Sequence, residues 1–590
     1  MQEIKRIFIK YKIHFFLVIC FILAISWLTS HTDLFNIAKI TSKIVKGDFS
    51  MTEKLGGKVI YASFFPPMLH FVDAIFYYPF AKLGIYRFDL NNVPVNQLLS
   101  VGFLLKLRYL IIYILGVVVM LQVSKLYEKD VKQRNKIFLF WLLCPVLIFL
   151  PFSWGNNDIY PMFLLLLFLL FSFKKKYFWA MLFLGLSAAT KNFSLFLILP
   201  ASLILANKNP KKVFLYGLVA FLVYLGPLLL YFKTSHTFVT GGGEGLFILQ
   251  KKILDGPLFF PLAYFATLLF LLIKEEVDNL NKNELLIKYC FLTFSFFYLT
   301  SFFIPHWFLW IMPFFALTAY KNRKLFYLYI LINSAFFVGI YTWSRNIDMN
   351  LFSVAFPIIN KVMTLGEFVS KFFPNFKFFD IVYTLFFAAF ICYLYLLFFD
   401  KNKNLLKKSL SEKEINIFSI FPLILFFTIS FIFVLGMIMI RNRDWYDLGL
   451  SSRREVIGPI YGPGQIYQTF KSPKNKLIGI NIFLSTYAKR IETPYKLVLY
   501  DETCNNKILE TSIKVDKIDD NAYREVLFNE ISDSRNKGYC FTIEPAVKQV
   551  DTPITLHYSK YNSYSSGELI VNKKKIENED MVFQLIYPLR

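Results

Sequence analysis

Apolar runs of about 20 residues, the length that crosses the hydrocarbon of a bilayer, recur along most of this chain and constrain its fold more than any other feature. They fall at roughly 13–30, 108–126, 137–152, 159–173, 177–190, 193–206, 212–232, 257–273, 286–304, 307–320, 325–343, 379–399 and 417–440. With 56% hydrophobic residues, a soluble chain of 590 residues has no core large enough to hide them. The expected fold class is mainly α, a polytopic transmembrane helical bundle of about 13 spans.

The charges orient that bundle. The net charge of +25 arises mostly from short Lys and Arg clusters between apolar runs, so it reflects topology and excludes nucleic acid as the partner. Lys5–Lys12, Lys125–Lys136, Lys174–Lys176, Lys208–Lys212, Lys321–Lys324 and Lys401–Lys413 fall on one side when 13 runs cross. Basic loops stay in the cytoplasm, so the expectation is a multi-pass plasma-membrane protein with a cytoplasmic N-terminus. Trp27-Leu28-Thr29-Ser30 offers no small-x-small cleavage site, so the first run is read as retained. Segment 64–86 holds Pro66, Pro67, His70, Asp73, Pro79 and Lys82 and reads as a juxtamembrane or re-entrant element. Counting it as a span would reverse nearly all the basic clusters. Residues 1–440 then form the membrane domain, with 30–107 as a long first extracytoplasmic loop.

After Arg441 the pattern changes to short alternating runs separated by Asn, Asp, Gly, Pro and Ser. Nine such runs between Gln465 and Ile586 predict an extracytoplasmic β-sandwich of jelly-roll type over 441–590. Of the six cysteines, Cys20, Cys144, Cys290 and Cys392 lie in apolar runs. Cys504 and Cys540 lie in the tail, where an oxidising compartment permits them to pair.

On this topology the outer face gathers ionisable groups at membrane depth, where they are costly and therefore functional candidates. Asp33 follows the first run, and Trp154-Gly155-Asn156-Asn157-Asp158 ends the third. Lys191 stands between two short runs, Glu244 in a Gly-rich stretch, His306-Trp307 at the start of the tenth run and Arg345 after the eleventh. Each also has a plain structural reading. Asp33 and Asp158 can cap helices, Lys191 can snorkel to headgroups, His306 and Trp307 can be belt residues, and Glu244 can be solvated. The functional reading gives Asp33 the part of general base toward an acceptor hydroxyl. Lys191 and Arg345 would stabilise a phosphate leaving group, with Asp158 the residue to hold a divalent cation such as Mg or Mn. His306, Trp154 and Glu244 would line the site.

These residues resemble the GT-C superfamily of polytopic glycosyltransferases. The resemblance rests on Asp33 just after the first span, Phe64-Phe65-Pro66-Pro67-Met68 in the long first loop and Arg108 opening the next span. It continues with Trp154-Gly155-x-x-Asp158, with Leu184 to Lys191 followed by Leu199-Pro200, and with His306 to Pro313. Over residues 10–440 it is similar to the mannosyltransferase-like branch. The resemblance implies a hexosyltransferase taking a mannose-like hexose or a pentose from a polyprenyl-phosphate donor. The acceptor would be an extracytoplasmic glycan, lipid or protein, with membrane lipids around the catalyst. It maps the catalytic acids to Asp33 and Asp158 and the donor-phosphate cation to Lys191. The first loop lacks an Asp-Glu pair and the second an Asp-x-Asp, so no cofactor follows from the motifs. Two other classes compete: a transporter or flippase for lipid-linked glycans, and a non-catalytic scaffold presenting the β-domain. A transporter would place its polar groups near the midplane in two related halves. Here they gather on one face.

Overall fold

The structure, a computed structural model, describes residues 6–50, 52–61, 66–90, 97–230, 259–273, 282–300, 305–343, 349–352, 378–399, 410–439, 443–445, 454–486, 491–513 and 522–588, with gaps of a few residues inside several ranges and a few single residues between them. The chain forms two units, residues 1–347 with 369–429, and 348–368 with 430–590.

In the first unit nearly every apolar run is a helix. The order begins with α1 (Lys12–Leu28), α2 (Thr32–Val45), a small hairpin of β1 (Thr52–Leu55) and β2 (Lys58–Tyr61), α3 (Pro67–Lys82), α4 (Leu98–Tyr127) and α5 (Val131–Leu142). It continues with α6 (Pro145–Phe149), α7 (Ile159–Phe173), α8 (Tyr177–Thr190), α9 (Ile198–Leu205), α10 (Pro210–Leu230), α11 (Phe259–Ile273) and α12 (Lys282–Thr300). The last are α13 (Met312–Thr318), α14 (Arg323–Trp343), α15 (Phe378–Phe399), α16 (Glu412–Phe418) and α17 (Phe421–Met439). Helices apolar all round need lipid or other helices on every side. Among the described residues five are long and apolar enough to cross a membrane, or six if the bent pair α5 with Pro145–Trp154 counts as one. The 41° bend falls where Pro145 has no backbone N–H to continue the ladder.

Segment 64–86 becomes α3, opened by Pro67 at its first position and not among the candidate spans. It lies against α2, where Ile40 and Ile44 pack with Phe71 and Ala74.

Members of two basic clusters pair with acids of other segments. Lys10 pairs with Glu412 at 2.9 Å and Arg323 with Glu414 at 2.8 Å. Tyr320 donates to Glu128 at 2.9 Å, and Lys321 pairs with Glu284 at 3.1 Å. These contacts tie the segments near 10 and 323 to that near 412, and the segment near 321 to those near 128 and 284. Glu284 also pairs with Lys288, at 3.1 Å.

The second unit holds two antiparallel sheets. Six strands run β13 (Lys574–Ile576), β12 (Leu569–Val571), β5 (Ile466–Lys471), β10 (Gly538–Pro545), β7 (Tyr495–Asp501) and β8 (Lys507–Ile513). Seven form the other: β14 (Asp580–Met581), β11 (Thr555–Ser559), β6 (Leu477–Ser485), β15 (Phe583–Ile586) and β3 (Arg443–Trp445), with β4 (Arg454–Pro459) on β11 and β9 (Ala522–Ile531) on β6. Alternating residues of both sheets share one core, in which Phe470 and Phe541 of one lie against Phe583 of the other. Strands β3, β4 and β13 fall outside the nine alternating runs.

Cys504 and Cys540 are joined across 36 residues, with their Cα atoms 5.2 Å apart. Closing a loop of that length removes about 4 kcal/mol of unfolded-chain entropy in the loop-closure account. Reduction of the full-length protein, or Cys504→Ser, is expected to lower the denaturation midpoint of the β unit and leave that of the helical unit in place. Tryptic fragment release during a urea titration measures both.

Candidate active site

The site is built around a turn that the sequence makes rigid. The short π-helical turn Leu150–Trp154 ends at Gly155, whose φ of +76° is the left-handed conformation that glycine adopts without strain. A Cβ on Gly155 would lie 2.9 Å from the Cβ of Leu34 in α2, so the turn and that helix meet where only hydrogen fits. The Asn156 side chain then accepts from the Asp158 backbone N–H at 2.7 Å, which fixes the start of α7.

Asp158 occupies the N-cap position, but its carboxylate makes no capping bond. It turns inward and is fully buried. Trp310 donates its indole N–H to Asp158 Oδ1 at 2.9 Å. Lys191 Nζ stands 3.6 Å from the same oxygen and His306 Nε2 3.8 Å from Oδ2. A buried carboxylate is tolerated only with such partners. Lys191 is 7% exposed, so it serves this carboxylate rather than the headgroups. Its position follows from the chain: α8 stops at Thr190, and extended backbone at Lys191 redirects the side chain before the 3₁₀ turn Asn192–Leu197. His306 and Trp310 come from one 3₁₀ segment, Pro305–Ile311.

Trp154 sits between two imidazoles. It donates to His31 Nδ1 at 2.8 Å, and its ring lies 5.1 Å from that of His306. Accepting at Nδ1 leaves His31 its Nε2 position for a proton. Phe193 packs on Phe297, Trp307 and Trp310 with ring centres 4.5–4.9 Å apart and forms an aromatic wall beside Lys191. The Asn157 amide is buried with no hydrogen-bond partner among the described residues.

Of the residues singled out from sequence, Asp158, Lys191, His306 and Trp154 come together. Asp33 lies in the first turn of α2, with His31 and Leu34 on either side touching the Trp154-Gly155 turn. The Asp33 side chain, Glu244 and Arg345 lie outside the described residues. Sequence reasoning gave no role to His31, two residues before Asp33, or to Trp310, which stood inside the His306 to Pro313 motif. The signal was an indole and an imidazole beside buried charge.

The described residues around Asp158 do not by themselves make a divalent-cation site. Among the described residues no group of three His, Cys, Asp or Glu is able to hold a metal. Asp158, the carboxylate described here, faces an ammonium, an indole N–H and an imidazole, whereas Mg and Mn call for several oxygen ligands.

This is a polar cluster buried in an apolar helical unit, and part of the chain that builds it resembles known proteins. Residues 74–242 match the family model of glycosyltransferase family 87. That stretch includes Trp154, Asp158 and Lys191, and the match bears out the resemblance to GT-C membrane glycosyltransferases. No curated protein matches the chain. Among solved structures the chain is loosely similar to apo ArnT from Cupriavidus metallidurans, at 13% identity and a TM-score of 0.37 over 66% of this chain and 76% of that one. It is also loosely similar to arabinosyltransferase EmbB from Mycobacterium smegmatis, at 10% identity and a TM-score of 0.35 over 92% of this chain and 64% of that one.

Proposed function

We propose that the helical unit moves a mannose-like hexose or a pentose from a polyprenyl-phosphate donor to an extracytoplasmic glycan, lipid or protein acceptor. The observation that carries this reading is the buried Asp158 carboxylate holding Lys191 beside an aromatic wall. It supplies a fixed cation and an apolar surface, which suit a phosphate on a lipid chain. In this reading about 13 runs cross the plasma membrane, the N-terminus is cytoplasmic, and the β unit is an extracytoplasmic sandwich.

The chemistry is a displacement at the sugar's anomeric carbon. Asp33 takes the proton of the acceptor hydroxyl, whose oxygen forms the new glycosidic bond. The bond from the anomeric carbon to the phosphate oxygen breaks, and its electron pair leaves with the polyprenyl phosphate. Lys191 meets the charge that develops on that oxygen. Asp158 orients Lys191, while His306 and Trp154 wall the pocket. Arg345 is a second phosphate cation in this scheme, and Glu244 lines the site.

Asp33→Asn is expected to cut turnover by about 10²–10⁴, the usual contribution of a positioned base. The measurement is sugar release from labelled polyprenyl-phosphate sugars by membranes matched for expression. Equal turnover by wild type and variant would remove Asp33 from the mechanism.

A further inference from the structure

Near its start, α4 carries two buried cations that touch neither the Asp158 carboxylate nor each other's partners. Lys106 is 1% exposed and Arg108 fully buried. Residues two apart on a helix point about 200° away from each other. The two side chains therefore reach opposite neighbours, and both sets of neighbours belong to the segments that build the site.

Lys106 Nζ donates to the Thr29 carbonyl and hydroxyl at 2.8 Å each, and to the carbonyls of Ser26 and Ser153 at 3.3 Å each. The Thr29 hydroxyl itself reaches the Phe152 carbonyl at 3.2 Å. Thr29 ends α1 just before His31 and Asp33, and Ser153 precedes Trp154. One ammonium thus joins the roots of both site segments through carbonyls that the helix ends leave unpaired.

Arg108 does the same at the far ends, through a carboxylate. Its Nε lies 2.8 Å from Asp73 Oδ1, and both side chains are fully buried. Asp73 also accepts from Thr41 of α2 at 2.8 Å and from the Tyr160 hydroxyl of α7. Thr41 lies two turns beyond Asp33, and Tyr160 two residues beyond Asp158. The guanidinium stacks over Tyr109 and Tyr77 with ring centres 5.0 and 5.6 Å away, which fixes its plane.

We propose that Lys106 and the Arg108–Asp73 pair are positioning residues that hold segments 29–41 and 153–160 in register at both ends, so that Asp33 is set against the Asp158–Lys191 cluster. The inference rests on the transferase reading above for its effect on rate, but the clamp itself is a statement about two segments.

Breaking the ion pair outright, as in Arg108→Met, leaves a buried carboxylate and threatens folding. Tyr160→Phe and Lys106→Met are the informative variants, because Tyr160→Phe keeps the pair and Lys106→Met strands no carboxylate. For each, kcat is expected to fall about tenfold to a hundredfold, with the donor KM within about twofold, since misplacement by a fraction of an ångström acts on the chemical step. Hydrogen exchange of the full-length protein is expected to quicken in 29–41 and 153–160 and not in 131–142. A kcat close to wild type in both variants, or faster exchange throughout the helical unit, overturns the proposal. If wild type moves no sugar from any donor, the transferase reading fails instead, and the exchange pattern alone decides whether the clamp exists.

Discussion

Asp158→Ala is expected to abolish sugar transfer and to destabilise the helical unit, for two separable reasons. Asp158 is the carboxylate partner of Lys191 in a site where both are buried. Without it an ammonium is left uncompensated in the protein interior, which costs about 3–5 kcal/mol. Lys191 is then no longer aimed, and losing a preorganised group at a developing charge costs about 10²–10³ in kcat. The double variant Asp158→Ala/Lys191→Met separates the two effects. It is expected to recover much of the melting temperature, because no lone charge remains, and none of the activity. Asp158→Asn keeps an acceptor for Trp310 and is expected to fall between wild type and Asp158→Ala in stability. Recovery of turnover in the double variant would show that neither residue meets the donor.

Gly155→Ala is the second large effect. A residue with a Cβ resists the left-handed backbone by about 1–2 kcal/mol. The new methyl would also stand 2.9 Å from the Cβ of Leu34, and overpacking of that kind costs about 1–3 kcal/mol more. Leu34 follows Asp33, so relief of the clash moves the helix that carries the proposed base. A fall in melting temperature with a larger fall in kcat is expected. Leu34→Ala added to Gly155→Ala is expected to restore only part of both, because it removes the contacts of the Leu34 Cγ and Cδ2 at 3.2 and 3.1 Å but leaves the 2.9 Å approach to its Cβ and the backbone strain. Thermal melts and turnover on the same preparations check this. An unchanged kcat in Gly155→Ala would break the link between this turn and the chemistry.

Much of the helical unit was legible because hydropathy acts locally. Each of the 13 apolar runs overlaps a helix, and the proline-marked segment 64–86, kept apart from them, holds a 16-residue helix outside the set of candidate spans. Asp158, Lys191 and His306 were legible as costly charges near apolar runs. Their partnership was not, since Asp158 and Trp310 lie 152 residues apart and no period or spacing encodes that pair. Trp310 read as one more aromatic in a membrane helix. Lys106 was overlooked and Arg108 taken only as part of a motif, because their partners are carbonyls and a carboxylate on other helices. A positive charge at the edge of an apolar run was the available signal, and it names the residue without its partners. In the tail, alternation located the long strands. It passed over β3, β4 and β13, whose places are set by pairing with β15, β11 and β12.

The central claim is that this chain transfers a sugar rather than moving a lipid-linked sugar intact. The most direct test reconstitutes the full-length protein in liposomes with labelled polyprenyl-phosphate sugars and a mixed acceptor extract, and separates the lipids afterwards. Sugar transfer predicts that free polyprenyl phosphate appears together with label on an acceptor, and that both are lost in Asp158→Ala. Intact donor appearing in the opposite leaflet, with no polyprenyl phosphate released, would contradict the account and make the chain a lipid-glycan transporter.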